Sequence, residues 1–219
     1  MTETITPQQF HDAAGIEDWR VLTNVAHAHF PTGSFATGIA LVDAIGRLAE
    51  AADHRPDVDL RPDGVTVRLT TRTLDHFFWL SERDVELARQ ISAAARELDV
   101  PADPAAVQMV QVAIDALVHP DVMPFWRAVL GYRQVGDEDL LDPTAQGPPI
   151  WFQEMDAPRP QRNRIHIDVL VPHDQAEARI AAAIAAGGHL VSDENAPAWW
   201  TLADAEGNEV DVATWMGRD

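Results

Sequence analysis

The sequence predicts an α+β protein made of two halves, and three observations lead to that class. The first half alternates short period-two runs, typical of strands, with two long amphipathic runs, typical of helices. The second half shows the order β-α-β-β-β twice, with an internal period of roughly 55 residues. Pro101 and Pro104 follow the last helix of the first half and mark the boundary between the halves. We therefore expect an antiparallel sheet with helices, followed by a duplicated unit.

The first half, residues 1–100, contains helices and paired strands in alternation. The predicted elements are a helix at 7–14, strands at 19–23 and 26–30, a helix at 34–52, strands at 58–62 and 65–71, and a last helix starting after Ser81. Ser81 is the predicted N-cap of that helix, and Asp84 stands three residues on, as in a capping box. The apolar residues that follow recur at helical spacing, which predicts one buried face.

The second half, residues 107–219, follows a linker at 101–106 and contains two modules, at about 107–156 and 163–216. In the first module we predict a strand at 107–116, a helix at 121–131 and three further strands. In the second module we predict a strand at 164–172, a helix that Gly187 and Gly188 end, and again three strands.

Composition excludes several classes of function. The chain has 35 acidic residues against 16 basic residues, all of them arginine, and a net charge of −19. Phosphate backbones and anionic lipids bind clustered cations, so we expect neither nucleic acid nor a membrane surface as partner. The absence of cysteine excludes disulfides and thiolate metal sites. No signal-peptide pattern opens the sequence and no apolar run approaches the ~20 residues of a membrane span, so we expect a cytoplasmic protein.

One set of residues in the first half carries a recognisable signature. It comprises Glu50, then His54-Arg55-Pro56-Asp57, a strand ending in Thr-Thr-Arg72, and the helix start Ser81-Glu82-Arg83-Asp84. In this order, the residues resemble the pterin-4a-carbinolamine dehydratases. That family shows Glu, three residues and His-His-Pro, then a strand ending in Thr-Thr-His and a helix starting Thr/Ser-Glu-x-Asp. The resemblance covers roughly residues 5 to 100.

The resemblance implies an activity and roles for four residues. These dehydratases remove water from a 4a-hydroxytetrahydropterin, which requires an acid for the departing hydroxyl and a base for the neighbouring ring nitrogen. Histidine suits both tasks near neutral pH. His54 is implied as the catalytic histidine and Glu50, one helical turn earlier, as its support. Pro56 and Asp84 are implied to shape the pterin pocket.

Two positions depart from the family pattern. Arg55 stands where the second histidine of the pair is expected, and Arg72 where the third is expected. Guanidinium does not release its proton in proteins, so these arginines can only bind a polar pterin edge or an anion. His76, in the loop before the last helix, is a candidate to replace the lost imidazole. Two alternatives stay open: a weakened dehydratase, and a protein that binds or sequesters a small molecule without turnover.

The second half resembles the vicinal oxygen chelate superfamily, which includes glyoxalase I, bleomycin-resistance proteins and extradiol dioxygenases. The resemblance rests on the doubled unit and on the segments PFWRAVLGY (124–132), NRIHIDV (163–169) and ADAEGNEVDV (203–212). It implies a cleft into which the first and last strand of each module direct one side chain. Matched by position, these are Gln111 and His166 on the first strands, and Gln153 and Asp211 on the last strands.

This set of side chains is a weak metal site. Hard cations prefer carboxylate oxygen and transition metals prefer imidazole, whereas two of the four residues are neutral amides. We expect no cofactor and no metal, and any divalent ion would bind His166 and Asp211. The cleft is then a site for an unknown small ligand, and a metal-dependent glyoxalase-like or dioxygenase-like reaction is the third alternative. The dehydratase resemblance also implies a pterin as the small-molecule partner of the first half, and self-association into a homo-oligomer.

Overall fold

The chain divides into two compact units, Met1–Met109 and Val110–Asp219, each with its own hydrophobic core. The structure is a computed structural model that describes residues 4–71, 79–158 and 165–217. The segment predicted as a linker, 101–106, lies within the first unit. The backbone N–H of Asp103 donates to the carbonyl of His29 at 2.8 Å, and Ala102 packs against the first core.

The first unit is an antiparallel sheet with helices. In chain order its described elements are β1 (Thr4–Ile5), α1 (Pro7–Asp12), β2 (Arg20–Leu22), β3 (Val25–Pro31), α2 (Phe35–Ala52), β4 (Asp57–Arg61), β5 (Gly64–Leu69), β6 (Leu80–Ser81) and α3 (Glu82–Glu97). Strands β2, β3, β5 and β4 form one sheet in that order, and β1 pairs with β6. Every pairing is antiparallel, which confirms the predicted class of the first half.

The core of the first unit lies between one face of this sheet and the helices. Alternate residues of β3, among them Ala28 and Phe30, are fully buried, as the period of two requires. Leu41 of α2 and Leu87 and Ile91 of α3 belong to the same cluster. Truncating a buried side chain of this size costs about 2–5 kcal/mol, so this packing fixes α2 and α3 on the sheet. None of the helices in the described ranges is long and apolar enough to cross a membrane.

The second unit contains the β-α-β-β-β order twice. Its described elements are β7 (Val112–Ala116), α4 (His119–Leu130), β8 (Arg133–Val135), β9 (Asp139–Leu141), β10 (Ile150–Glu154), β11 (Ile167–Leu170), a 3-10 turn (His173–Gln175), α5 (Ala176–Ala185), β12 (His189–Ser192), β13 (Trp199–Ala203) and β14 (Glu209–Ala213). Two four-stranded sheets result, in the orders β7-β10-β9-β8 and β11-β14-β13-β12. The matching orders confirm the predicted duplication.

The first and last strands of each module pair in parallel. The residues that occupy equivalent positions in the two modules differ from those matched in the sequence. Asp115 lies opposite Gln153, and Asp168 lies opposite Asp211. The first strands are therefore offset by 53 residues (168 − 115), where the prediction had 55, and the last strands by 58 (211 − 153). Strand β7 begins only at Val112, opposite Ile150, so Gln111 precedes the strand.

The late start of β7 has a simple cause in its partner strand. Residues 148 and 149, directly before β10, are both proline, and proline has no N–H with which to continue a ladder. The carbonyl of Pro149 still accepts a hydrogen bond from the N–H of Val112 at 2.9 Å. Regular pairing therefore begins at this point, and the predicted strand at 107–116 is shortened from its N-terminal end.

Polar contacts, one of them buried, hold the two modules together. The indole N–H of Trp126 in α4 donates to Asp204 Oδ2 at 2.9 Å, and both residues are buried. The carboxylate of Glu206 accepts the backbone N–H groups of Leu117 at 2.7 Å and Val118 at 2.9 Å, just before α4. The turn between β13 and β14 is thus fastened to the first module, which shapes the cavity described below.

Candidate functional site

The end of α2 places His54. The helix ends at Ala52, and Asp53 adopts the left-handed conformation at φ 46° and ψ 42°, which aspartate tolerates better than most residues. The N–H of His54 then donates back to the carbonyl of Ala49 at 3.0 Å. This reversal takes His54 out of the helical path and places its ring at the start of α3, where it is only 8% exposed.

Asp84, the third residue of α3, receives the imidazole. Its Oδ1 lies 2.7 Å from Nε2 of His54. Its Oδ2 lies within hydrogen-bond distance of three donors: Thr71 Oγ1 at 2.7 Å, Ser81 N at 2.8 Å and Ser81 Oγ at 2.9 Å. The side chain is fully buried, and the positive end of the α3 dipole favours a carboxylate there. Four donors therefore fix this carboxylate in one orientation.

The pairing determines which nitrogen of His54 is available for chemistry. A carboxylate only accepts hydrogen bonds, so Nε2 carries the hydrogen that faces Asp84. Among the residues that the structure describes, Nδ1 has no hydrogen-bond partner. The arrangement is an imidazole oriented by an aspartate at one nitrogen, a geometry that suits general acid–base chemistry at the other.

Glu50 and Arg55 form a separate, exposed pair. Arg55 Nε donates to Glu50 Oε1 at 3.2 Å, and Arg55 Nη1 lies 3.5 Å from Asp53 Oδ1. The hydrogen bond to Glu50 and the nearby carboxylates raise the pKa of Arg55. Glu50 was expected to support His54, because residues four apart meet on one helix face. The left-handed Asp53 breaks that geometry, and Asp84 holds the ring instead.

The other predicted pocket residues are placed as follows. Pro56 is half-buried and stands immediately before β4. Arg72 and His76 lie outside the described residues. Asp84, predicted to line the pocket, is the direct partner of His54.

In the second unit, His166 lies beside two carboxylates. Its Nε2 is 3.4 Å from Asp168 Oδ1 and 3.9 Å from Asp211 Oδ2, and Asp211 Oδ1 accepts the hydroxyl of Thr201 at 2.6 Å. The side chains of His166, Asp168 and Asp211 are 55%, 44% and 16% exposed. Their three donor atoms lie within 4.8 Å of one another, so one imidazole and two carboxylates could hold a divalent cation.

The structure thus brings together two of the four predicted cleft residues and adds a third that the prediction missed. Gln153 is exposed on β10, with its amide nitrogen 3.4 Å from the carbonyl of Glu154. Gln111 precedes β7. Asp168 could have been found from the repeated Ile-Asp pair at 114–115 and 167–168, and from its spacing of two after His166, which places both side chains on one face.

A cavity of about 660 Å³ adjoins this cluster within the second unit. Both modules line it, and the wall includes Ile114, Trp126, Met155 and Ile167 together with His166. Its volume falls in the range of small-molecule sites. Its wall combines these apolar side chains with the carboxylates of Asp115, Glu206 and Glu209. Trp126 is buried against the cavity, and Trp215 of the same unit is largely exposed.

Comparison with known proteins assigns the two units separately. Residues 3–94 match the family described as pterin 4 alpha carbinolamine dehydratase, and residues 111–213 match the glyoxalase-like domain. Similar solved structures include a transcriptional coactivator/pterin dehydratase from Brucella melitensis, with TM-score 0.39, 22% identity, and coverage of 42% of this chain and 99% of that one. A glyoxalase-related enzyme from Fulvimarina pelagi has TM-score 0.39, 16% identity, and coverage of 49% and 88%.

Two relatives of known sequence extend over most of their own length. A Nocardia farcinica protein named as a pterin-4-alpha-carbinolamine dehydratase is 36% identical over 96 residues, which are 43% of this chain and 98% of the relative. One from Aquifex aeolicus with the same name is 34% identical over 83 residues, or 38% and 81%. The chain therefore belongs to the pterin-4-alpha-carbinolamine dehydratase family through its first unit, and it carries a glyoxalase-like domain as its second.

Proposed function

We propose that the first unit binds a 4a-hydroxytetrahydropterin and removes water from it, with His54 transferring the proton and Asp84 holding the imidazole. The His54–Asp84 pair carries this proposal. It is buried, it is 2.7 Å long, and it lies where the dehydratase signature assigns the catalytic histidine.

One imidazole is enough for the proton balance of this reaction. The C4a–O bond breaks, the hydroxyl leaves as water after gaining a proton, and the adjacent ring nitrogen loses a proton as the C=N bond forms. If Nδ1 of His54 takes the proton from the ring nitrogen and returns it to the departing oxygen, no proton is consumed overall. The hydrogen bond from Nε2 to Asp84 stabilises the imidazolium formed between these two transfers.

In this scheme the arginines contribute to ligand binding and not to proton transfer. Arg55 is exposed and stays charged beside Glu50, so it can attract a polar or anionic edge of the ligand but cannot shuttle a proton. Arg72 and His76 are proposed contacts of the substrate on the grounds of their sequence positions alone. A dehydratase that relies on one imidazole lacks the separate acid and base that contribute roughly 10²–10⁴-fold each, so we propose weakened activity.

The second unit is proposed to be an accessory module that binds a small ligand in its cavity. Its donor set of His166, Asp168 and Asp211 supports a metal-dependent glyoxalase-like or dioxygenase-like reaction only if a cation binds there, and those side chains would be its ligands. For the first unit, a binding or sequestering function is the second candidate, because exposed Arg55 stands where its family keeps a histidine.

The test is the dehydration of a chemically generated 4a-hydroxytetrahydropterin, followed by the absorbance of the quinonoid product. We expect the full chain to accelerate the reaction, His54→Ala to lower the acceleration at least 10²-fold, and the control His166→Ala to leave it unchanged. No acceleration by the unsubstituted chain would reject the dehydratase. Thermal stabilisation by the pterin product without turnover would then support the binding alternative.

A further inference from the structure

We propose that Arg83 is a positioning residue for His54: it holds the peptide that leads into the histidine while the neighbouring Asp84 holds the ring. The activity part of this inference rests on the proposed dehydratase. The positional part does not, because the contacts concern only the first unit's own backbone and side chains.

Arg83 reaches from the first turn of α3 to the end of α2. Its Nη2 donates to the carbonyl of Ala52 at 2.9 Å and also to the carbonyl of Asp53. These are the two carbonyls immediately before His54. The guanidinium therefore binds the backbone at the point where the chain leaves the helix. At this point the chain directs the imidazole toward Asp84.

The two carbonyls have no hydrogen-bond partner within the helix itself. The last carbonyl groups of a helix have no partner within it, and here the N–H groups of Asp53 and His54 turn back to Glu50 and Ala49. Those bonds satisfy carbonyls one turn earlier and leave the carbonyls of Ala52 and Asp53 to be met from outside. A cation at the negative end of α2 is also favoured by the helix dipole. Arg83 supplies both the donor and the charge.

Arg83 and Asp84 are consecutive, so the start of α3 holds His54 at two points. Asp84 fixes Nε2 at 2.7 Å, and Arg83 fixes the peptide units on the N-terminal side of the same residue. With only the ring contact, the left-handed Asp53 and its flanking peptides could rotate, and the 2.7 Å bond would lengthen or open intermittently. Misplacement of a catalytic group by about 1 Å can cost as much as 10²-fold in rate.

Arg89 provides a matched control on the same helix. Its Nε donates to the carbonyl of Ala14 at 2.7 Å, so it too links α3 to a backbone carbonyl far away in sequence. If such links only add stability, substitution of either arginine should have similar consequences. If Arg83 positions His54, only its substitution should disturb the imidazole.

The experiment compares Arg83→Met, Arg83→Lys and Arg89→Met in the full chain by NMR of the histidine side chains, with His54→Gln to assign the resonance of Nε2–H. A buried N–H bonded to a carboxylate exchanges slowly with solvent. We expect exchange of this proton to accelerate at least about tenfold in Arg83→Met, to change less in Arg83→Lys, which keeps a charged donor, and to stay unchanged in Arg89→Met. In the dehydration assay we expect kcat to fall about tenfold in Arg83→Met with KM unchanged.

Slow exchange in Arg83→Met equal to that of Arg89→Met would overturn the inference. If Arg83→Met does not fold, Arg83→Gln decides the question, because it removes the charge and shortens the side chain; unchanged exchange and unchanged kcat in that variant also reject a positioning role. A chain that does not dehydrate the pterin at all would reject the proposed function, and the NMR comparison would still test Arg83.

Discussion

Each unit contains a histidine beside aspartate, and the two sites are built differently. In the first unit, His54 Nε2 lies 2.7 Å from Asp84 Oδ1, and both side chains are buried. Three further donors form hydrogen bonds to the carboxylate of Asp84. In the second unit, His166 lies 3.4 Å from Asp168 and 3.9 Å from Asp211. The side chains of His166 and Asp168 are about half exposed. Similar residue types therefore give one closed and one open site.

The difference shows what burial adds to a pair of titratable groups. At 4 Å in water two unit charges interact by about 1 kcal/mol, and salt screens them further, whereas a buried pair keeps a larger interaction and a single geometry. The first site therefore has a single geometry without any ligand. The second site keeps much of its contact with solvent, so its charges interact more weakly.

The largest effect that we predict concerns the buried carboxylate. Asp84→Asn replaces an acceptor of four hydrogen bonds with an amide, one side of which presents N–H groups to other donors. We expect the free energy of unfolding of the first unit to fall by about 3–5 kcal/mol, as for other broken buried pairs. Denaturant titration monitored by tryptophan fluorescence measures this change.

The matched substitution in the open site is Asp168→Asn. Because that carboxylate is nearly half exposed, we expect the free energy of unfolding to change by no more than about 0.5 kcal/mol. Equal losses in the two variants would mean that the closed site is no better ordered than the open one.

A third histidine, His27, shows the effect of burial without a paired carboxylate. His27 on β3 is buried, its Nε2 has no hydrogen-bond partner within the described residues, and Arg20 and Arg68 lie opposite it on the neighbouring strands. Desolvation, and then the charge of Arg68, lower the pKa of His27 to about 4. Unlike His54, this histidine has burial without a carboxylate, so it stays neutral at pH 7.

This lowered pKa predicts an acid-sensitive contribution to stability. The unfolded chain takes up the proton near pH 6.5, whereas folded His27 takes it up near its pKa of about 4. The contribution is therefore complete above pH 6.5 and is lost as pH falls toward 4, by about 3 kcal/mol in all. Urea titrations at pH 7 and pH 4.5 should show that the unsubstituted chain loses more stability than His27→Gln. Parallel losses in both proteins would refute the lowered pKa.

Much of the fold was predictable because its signals are local. The period of two in β5 and the Ser81–Asp84 capping box act within a few residues, and the structure has a strand and a helix there. The register of the second unit was not predictable in the same way. It depends on which residue of β7 first meets Ile150, and that depends on contacts between strands distant in sequence.

The candidate site likewise combines a local sequence signal with contacts between residues distant in sequence. His54 could be recognised from its neighbours in sequence. Its partner was expected to be Glu50, which is correct only for a continuous helix, and the left-handed Asp53 redirects the ring to a residue 30 positions later. Asp84 was visible in the sequence as a capping residue, but its second role is tertiary and leaves no periodic signal.

Two threonine–aspartate hydrogen bonds allow a finer comparison of the sites. Thr71 Oγ1 donates to Asp84 at 2.7 Å in the closed site, and Thr201 Oγ1 donates to Asp211 at 2.6 Å in the open site. Valine preserves the shape of threonine and removes the hydroxyl. We expect Thr71→Val to cost about 1–2 kcal/mol, because the lost donor cannot be replaced by water, and Thr201→Val about 0.5 kcal/mol. Denaturant titration of both variants measures this, and a reversed order would contradict the contrast in burial.

The smallest effect that we predict is that of a divalent metal on the open site. His166, Asp168 and Asp211 offer three metal-binding atoms, but His166 and Asp168 are about half exposed to solvent. In the first module, the residue that matches Asp211 is Gln153, a neutral amide opposite Asp115. We expect 1 mM Mn²⁺ or Zn²⁺ to stabilise the second unit by about 0.4 kcal/mol, as for a dissociation constant near 1 mM, which raises Tm by about 2 °C. The shift should vanish in Asp211→Asn. Retention of one metal ion per chain through dialysis would instead show that the open site closes around a cation, and the second unit would then rank beside the first as a place for chemistry.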